Sequence, residues 1–264
     1  MAGLSGKVAI VTGAADGLGR ATSLKMAAEG ARVLLVDIDK QRLAETEALI
    51  GDAGGEAAVF VADVSDETQV RAYVDEAKGR FGRIDAFFNN AGILGVVAPT
   101  TEYPIDTFDK VIAVNLRGVF LGLHFVLPIM IEQRSGSIIN TGSMGGAGGV
   151  PGSSAYNASK HAVIGLTKTA AIEVGATGVR VNAVLPGNIR TKMTSGLGSD
   201  DAENERLAAR LAPQGRMGTP EEIADAVYFL ASDASLHITG VELPVDGGIT
   251  ASTYGMAYGA PASS

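Results

Sequence analysis

Short apolar runs alternate along this chain with longer segments in which apolar residues recur every three or four positions. The run "KVAIVTG" (7–13) is rich in β-branched residues and stops at Gly13, the pattern of a strand buried on both faces. A helical period follows over 19–30, with Leu24, Ala27 and Ala28 on one face and Gly30 as its C-terminal stop. Further strands are predicted at 31–37, 57–64, 84–92, 137–143, 179–187 and 240–248. Helices are predicted between them, at about 39–50, 66–82, 105–133, 154–174 and 220–232, the last with Pro220 suited to its first turn.

Strands without polar alternation, each followed by a helix, call for a parallel sheet with right-handed crossovers. The expected fold class is therefore α/β: a Rossmann-like, doubly wound, predominantly parallel seven-stranded sheet with helices on both faces. No linker or repeat divides residues 1–264, so a single domain is expected. Within it, 188–218 is looser in composition and reads as a lid. The small-residue tail 249–264 is left open between disorder and docking on a partner subunit.

Composition narrows the function classes. A net charge of −8 disfavours nucleic acid and anionic membrane surfaces. The absence of cysteine excludes disulfides and thiolate metal sites. Three histidines, His124, His161 and His237, lie too far apart in sequence to suggest a metal set, so no metal is expected. No signal peptide is visible at the N-terminus. The apolar run at 118–130 is interrupted by His124 and Pro128 and reads as too short to cross a bilayer. A cytoplasmic protein is expected.

Two stretches carry candidate chemistry. "TGAADGLG" (12–19) places Gly13, Gly17 and Gly19 where the first strand meets the first helix. Glycines allow a sharp turn and close approach to a pyrophosphate, which the helix N-terminus favours; a plain tight turn would use the same residues. Asp37 ends the second strand, where a carboxylate can bond both ribose hydroxyls and repel a 2′-phosphate. A solvated strand-end acid is the alternative. Asp16 adds negative charge inside the turn, so NAD is expected and NADP is disfavoured. The second stretch, "YNASK", sets Tyr156 and Lys160 one helical turn apart. A neighbouring ammonium stabilises phenolate and is expected to bring the tyrosine towards neutral pH, where acid–base catalysis works.

With "NNAG" at 89–92, these motifs resemble the short-chain dehydrogenase/reductase family from about Gly6 to Gly248. Looser likeness in 80–93 and 108–123 is to bacterial members of the levodione reductase type, which act on cyclic ketones and alcohols. The resemblance implies a catalytic set of Asn115, Ser143, Tyr156 and Lys160. Tyr156 is then the acid or base, Ser143 orients the reacting oxygen, and Asn115 supports an ordered water at a helix kink. It implies cofactor contacts from Gly13, Asp16, Gly17, Leu18, Gly19, Asp37 and Ile38. Asp63 and Val64 would receive the adenine, and Asn90, Ala91 and Gly92 would pass the ribose. Pro186, Gly187, Ile189 and Thr191 would hold the nicotinamide, with Tyr156 and Lys160 alongside.

The residues flanking these motifs, Leu94, Met144, Gly146, Val150, Asn188, Met193 and Leu197, are the expected substrate walls. They are mostly small or apolar, which suits an uncharged cyclic ketone or secondary alcohol. The expected function is NAD(H)-dependent interconversion of the two. A 3-oxoacyl-thioester reductase and a non-catalytic NAD(H)-binding sensor are the alternatives. The family also implies a homotetramer. Val119, Phe120, Leu123 and Val126 form an apolar stripe compatible with either a subunit interface or sheet packing.

Overall fold

The structure is a computed structural model that describes residues 3–193, 206 and 209–251. Seven strands form one sheet: β1 (Val8–Thr12), β2 (Arg32–Asp37), β3 (Glu56–Val61), β4 (Ala86–Asn89), β5 (Gly136–Thr141), β6 (Val179–Pro186) and β7 (Glu242–Val245). Their order is β3-β2-β1-β4-β5-β6-β7, and every neighbouring pair is parallel. The chain runs outward from β1 in one direction, then returns to place β4 on its other side. Loops after β1 and β4 therefore diverge and leave a crevice at the carboxyl ends of the strands.

Successive residues of a strand point to opposite faces, and both faces are covered. Ile10, Leu34, Phe87, Ile138 and Val181 pack on one side against α3 (Glu67–Phe81), α5 (Gly118–Gln133) and α6 (Ser154–Val174). Val11, Leu35, Phe88, Ile139 and Val184 pack on the other against α1 (Gly17–Ala28), α2 (Lys40–Asp52) and α7 (Pro220–Ala231). Each such side chain contributes about 1.5–3 kcal/mol when fully buried, which explains the lack of polar alternation in the strands. The predicted strands run past the observed ones where polar or glycine residues leave the ladder: β3 stops at Val61 and β4 at Asn89.

The region predicted as one helix over 105–133 is α4 (Ile105–Ile112), a π turn (Ala113–Arg117) and α5 in succession. Its length and apolar content would let it cross a membrane, contrary to the run-length expectation. Packing assigns it to the domain instead: Val119, Leu123 and Val126 are buried in the sheet-facing core, whereas Phe120 is 49% exposed. The apolar stripe thus divides, three residues inward and one outward. Helix α7 starts with a full capping box, Thr219 and Glu222 each bonding the other's backbone, with Pro220 in its first turn.

Candidate active site

At the end of β1 the chain must turn steeply into α1. Gly13 takes φ +69 and Gly17 φ +52, conformations that favour glycine. A Cβ on Gly13 would sit 2.8 Å from Asn90 Nδ2, and one on Gly19 would sit 2.0 Å from the carbonyl oxygen of Gly13. Gly19 is thus required by the turn's own closure and packs behind it.

Hydrogen bonds tie this turn to the neighbouring strands. Thr12 Oγ1 accepts from the N–H groups of Asn90 and Ala91 at 2.9 and 3.1 Å. Asn90 Nδ2 donates to the Thr12 carbonyl at 2.9 Å, while Thr141 Oγ1 donates to Asn90 Oδ1 at 3.1 Å. One polar chain thus crosses β1, β4 and β5 beneath the crevice. Thr141 also supplies the carbonyl that accepts from Lys160 Nζ at 2.8 Å. Sequence reasoning missed Thr141, and its place at the end of β5 becomes informative only once the strands are aligned.

Asp37 ends β2 with both carboxylate oxygens in use, accepting from Ala15 N–H at 3.1 Å and Asp39 N–H at 3.1 Å. Asp16 caps α1 through a 2.8 Å bond from Gly17 N–H. It also pairs with Lys192 at 2.9 Å and Arg42 at 3.2 Å. Burial alone would raise its pKa, but Lys192 and the Gly17 amide outweigh burial and hold the carboxyl below the ordinary value. Two cations therefore match the charge that the sequence placed unopposed in the turn.

On the other side of the crevice, α6 presents Tyr156 and Lys160 one turn apart. Lys160 is 3% exposed, and its ammonium lies 5.5 Å from the centre of the Tyr156 ring. Burial lowers the lysine from 10.5 to about 8. The tyrosine moves opposite to the expected direction. Burial pushes the phenol up, and a hydrogen bond with Ser143 offsets only part of the shift. Burial is the larger effect, and the Lys160 ammonium makes its hydrogen bond to the Thr141 carbonyl rather than to the phenol. Ser143 begins a short 3₁₀ turn (Met144–Gly146), its hydroxyl accepting from Gly145 N–H at 3.1 Å.

Asn115 lies in the π turn, fully buried. Its side chain clasps the Ile93 backbone in both directions, accepting from N–H and donating to C=O at 2.8 Å each. A third bond runs to Ser159 Oγ at 3.2 Å, and Ser159 in turn donates to the Tyr156 carbonyl at 2.7 Å. Gly92 fits between: a Cβ there would lie 3.2 Å from Asn115 Oδ1 and 3.7 Å from Lys160 Nζ. The expected kink is present, and the asparagine's side chain is spent on positioning.

The crevice, about 280 Å³, brings together most of the residues expected from sequence. Gly13, Asp16, Gly17, Leu18, Asp37, Asn90, Ala91 and Gly92 line one half, and Ser143, Tyr156, Lys160, Pro186, Gly187, Ile189, Thr191 and Met193 the other. Thr141, Gly142 and Lys192 join them, though sequence reasoning did not select them. Gly19, Ile38, Asp63, Val64 and Asn115 do not line it. Ile38 is 71% exposed. Asp63 bonds the hydroxyl and N–H of Ser65 at 2.7 and 2.8 Å, and Val64 packs under Gly118.

Among the expected substrate walls that the structure describes, only Met193 lines this crevice; Leu94, Met144, Val150 and Asn188 lie outside its lining. Gly146 is corrected: a Cβ there would meet the Lys160 carbonyl at 2.9 Å, so it lets the 3₁₀ turn pack on α6. Asn188 accepts from Gly218 N–H at 2.9 Å and closes the neck of the 188–218 segment. Leu197 and most of that segment lie outside the described residues, as does the tail beyond 251. Among the described residues no cluster of His, Asp or Glu could hold a metal.

The donor set fits a dinucleotide: a carboxylate at one end, a glycine turn opening a helix N-terminus in the middle, and a phenol–ammonium pair at the other end. A family model described as enoyl-(acyl carrier protein) reductase matches residues 13–250. Levodione reductase of Leifsonia aquatica is 47% identical over 252 residues, covering 93% of this chain and 94% of that protein. A crystal structure of levodione reductase superposes with a TM-score of 0.89 at 46% identity, covering 94% of this chain and 98% of that one. The 3-oxoacyl-acyl-carrier-protein reductase of Thermotoga maritima is 44% identical over 249 residues, 93% of this chain and 98% of its own. A crystal structure of NAD+-bound xylitol dehydrogenase matches with a TM-score of 0.88 at 39% identity, covering 93% and 99%. These likenesses span nearly the whole chain and leave its lineage plain: it belongs to the short-chain dehydrogenase/reductase family, as an oxidoreductase acting on CH–OH groups.

Proposed function

We propose that this chain uses NAD(H) to interconvert a secondary alcohol and a ketone, with an uncharged cyclic or moderately apolar substrate. The observation that carries the reading is one crevice holding Ser143, Tyr156 and Lys160 at one end and Asp37 at the other. A bound nicotinamide would supply the hydride acceptor or donor. Asp37 would hold the adenosine ribose, Gly13, Gly17 and Leu18 the pyrophosphate, and Pro186, Gly187, Ile189 and Thr191 the nicotinamide end. Asn90, Ala91 and Gly92 would flank the dinucleotide's middle. Asp63 and Val64 stand outside this arrangement.

The chain's own residues move the proton. With its pKa raised, Tyr156 holds its proton at neutral pH and gives it to the substrate oxygen during ketone reduction. Alcohol oxidation needs the phenolate form, which takes the hydroxyl proton; the positive charge of a bound oxidised nicotinamide would favour that form together with the Lys160 ammonium 5.5 Å from the ring centre. Ser143 donates to the same substrate oxygen and stabilises charge that develops there. Asn115 acts at one remove, fixing Ile93 and hence the Gly92 backbone that backs Lys160.

The acidic, cysteine-free composition supports a cytoplasmic setting, and outward-facing Phe120 and Ile131 on α5 support a homotetramer. The levodione reductase likeness supports a cyclic substrate. The test is a reduction screen over cyclic, aliphatic, sugar and steroid secondary alcohols with NAD and NADP in parallel, plus a 3-oxoacyl thioester as oxidant of NADH. NAD-linked turnover strongest on cyclic alcohols is the expected result. Turnover confined to the thioester, or tight NADH binding without any turnover, would replace this reading with the reductase or the sensor.

A further inference from the structure

Behind the half of the crevice assigned to the nicotinamide, the turn that follows β7 joins three stretches of chain. Gly187 N–H donates to the Val245 carbonyl at 3.1 Å. A Cβ on Gly187 would fall 2.6 Å from Asp246 Cα, so the backbone of the turn lies directly against Gly187. The Gly247 carbonyl accepts from Gln214 N–H at 3.2 Å, and a Cβ on Gly248 would sit 3.2 Å from Pro213 Cγ. The stretch 212–218 is bonded in turn to 188–190: Gly218 N–H donates to the Asn188 carbonyl at 2.9 Å, and Arg190 N–H to the Gly218 carbonyl at 3.0 Å. The turn thus seats both the limb that leaves β6 and the limb that enters α7.

One carboxylate gives this turn its shape. Asp246 is buried, with Oδ1 accepting from Gly248 N–H at 2.8 Å. Its Oδ2 accepts from Thr250 N–H at 2.7 Å and from the Thr250 hydroxyl at 2.6 Å. Bonds to an ionised acceptor are stronger than neutral ones and hold geometry more firmly. Asp246 does not line the crevice, so it acts one layer behind Pro186, Gly187 and Ile189, which do. Asp37, at the adenosine end, lies on β2, near the opposite edge of the sheet from β7.

We propose that Asp246 is a positioning residue for hydride transfer: it fixes the turn that seats Gly187 and the 212–218 limb, and through them the nicotinamide end of the site alone. The proposal rests on the NAD reading above. It requires that one ligand be affected at one end only, which a general loss of stability does not produce.

The experiment measures dissociation constants for NADH and for ADP-ribose, which lacks the nicotinamide, by calorimetric titration. The native chain is compared with Asp246→Ala, Asp246→Asn and Thr250→Val, each shown to be folded by circular dichroism. Values of kcat and KM are taken with the alcohol turned over fastest in the screen above. In Asp246→Ala the NADH dissociation constant should rise about tenfold while that of ADP-ribose stays within about twofold. Its kcat should fall on the order of a hundredfold, as for a misplacement of about 1 Å at a reacting centre. Asp246→Asn keeps one acceptor oxygen and should fall between. Thr250→Val removes only the hydroxyl bond and should show the same split at smaller size, even where Asp246→Ala fails to fold. Equal losses for NADH and ADP-ribose would overturn the proposal, as would NADH affinity and kcat unmoved in all three variants. A native chain that binds neither NADH nor ADP-ribose would instead refute the NAD reading itself.

Discussion

Replacing Lys160 with methionine should abolish turnover and yet stabilise the fold at neutral pH. Lys160 is 3% exposed, and burial lowers its pKa from 10.5 to about 8. Each tenfold change in proton affinity corresponds to about 1.4 kcal/mol, so the buried ammonium costs the fold about 3 kcal/mol where folded and unfolded chains are both protonated. Methionine removes that cost but strips the Thr141 carbonyl of its 2.8 Å donor, a loss of about 1 kcal/mol. The net gain is about 2 kcal/mol near pH 7, or a rise of about 4–8 °C in Tm. The sign reverses at high pH. Between about 8 and 10.5 the unfolded lysine keeps a proton that the folded one has released, so the native protein gains stability through that window. Above it the neutral amine still donates to Thr141 at no charge cost, and the native chain should exceed the variant by about 1 kcal/mol. Paired urea titrations of both proteins at pH 7 and pH 10.5 read the difference directly. A variant less stable at both pH values, or a difference independent of pH, would refute the reasoning.

Gly19→Ala should cost about 3 kcal/mol or more and abolish dinucleotide binding, because the new Cβ would fall 2.0 Å from the Gly13 carbonyl oxygen and backbone cannot yield there; denaturation and NADH titration check both effects. Asn115→Leu leaves the Ile93 N–H and C=O without their 2.8 Å partners, for a loss on the order of 3 kcal/mol and a fall in kcat larger than any change in dinucleotide affinity. Asp246→Asn probes the turn after β7. Burial raises the Asp246 carboxyl, but bonds from Thr250 and the Gly248 N–H outweigh it and hold the pKa below 3.8. Its stabilisation is present above that ordinary value and lost as pH falls through the lower folded one, so a deficit of about 2 kcal/mol at pH 7 should shrink during acid titration.

How far the chain could be read in advance depended on how local each determinant is. Gly13 and Gly17 were legible because positive φ demands glycine there whatever the rest of the fold does. Tyr156 and Lys160 were legible because helical spacing alone puts them on one face. Seven strands followed from runs such as "VAIVT" and "RVLLV" that only a doubly covered sheet can bury. Partners brought in from distant elements were not legible. Lys192 reaches Asp16 from beyond β6, so the charge that the sequence left bare in the glycine turn is paired. Gly146 serves helix packing rather than a substrate wall, which only the approach of the Lys160 carbonyl reveals. The direction of the Tyr156 shift was not legible for the same reason: it is set by burial, which elements distant in sequence supply. The π turn at Asn115 adds one residue to a helical pattern that periodicity reads as continuous.

The most direct test of proton transfer by Tyr156 is the variant Tyr156→Phe, assayed for NAD-linked alcohol oxidation and for NADH affinity in the same preparation. Phenylalanine keeps the ring against Lys160 and removes only the phenolic oxygen. Turnover should fall at least a thousandfold, on the order expected for losing a positioned general acid–base, while the NADH dissociation constant stays within about threefold, under 1 kcal/mol. Turnover close to that of the native chain, with binding intact, would contradict the assignment of Tyr156 as the acid–base group.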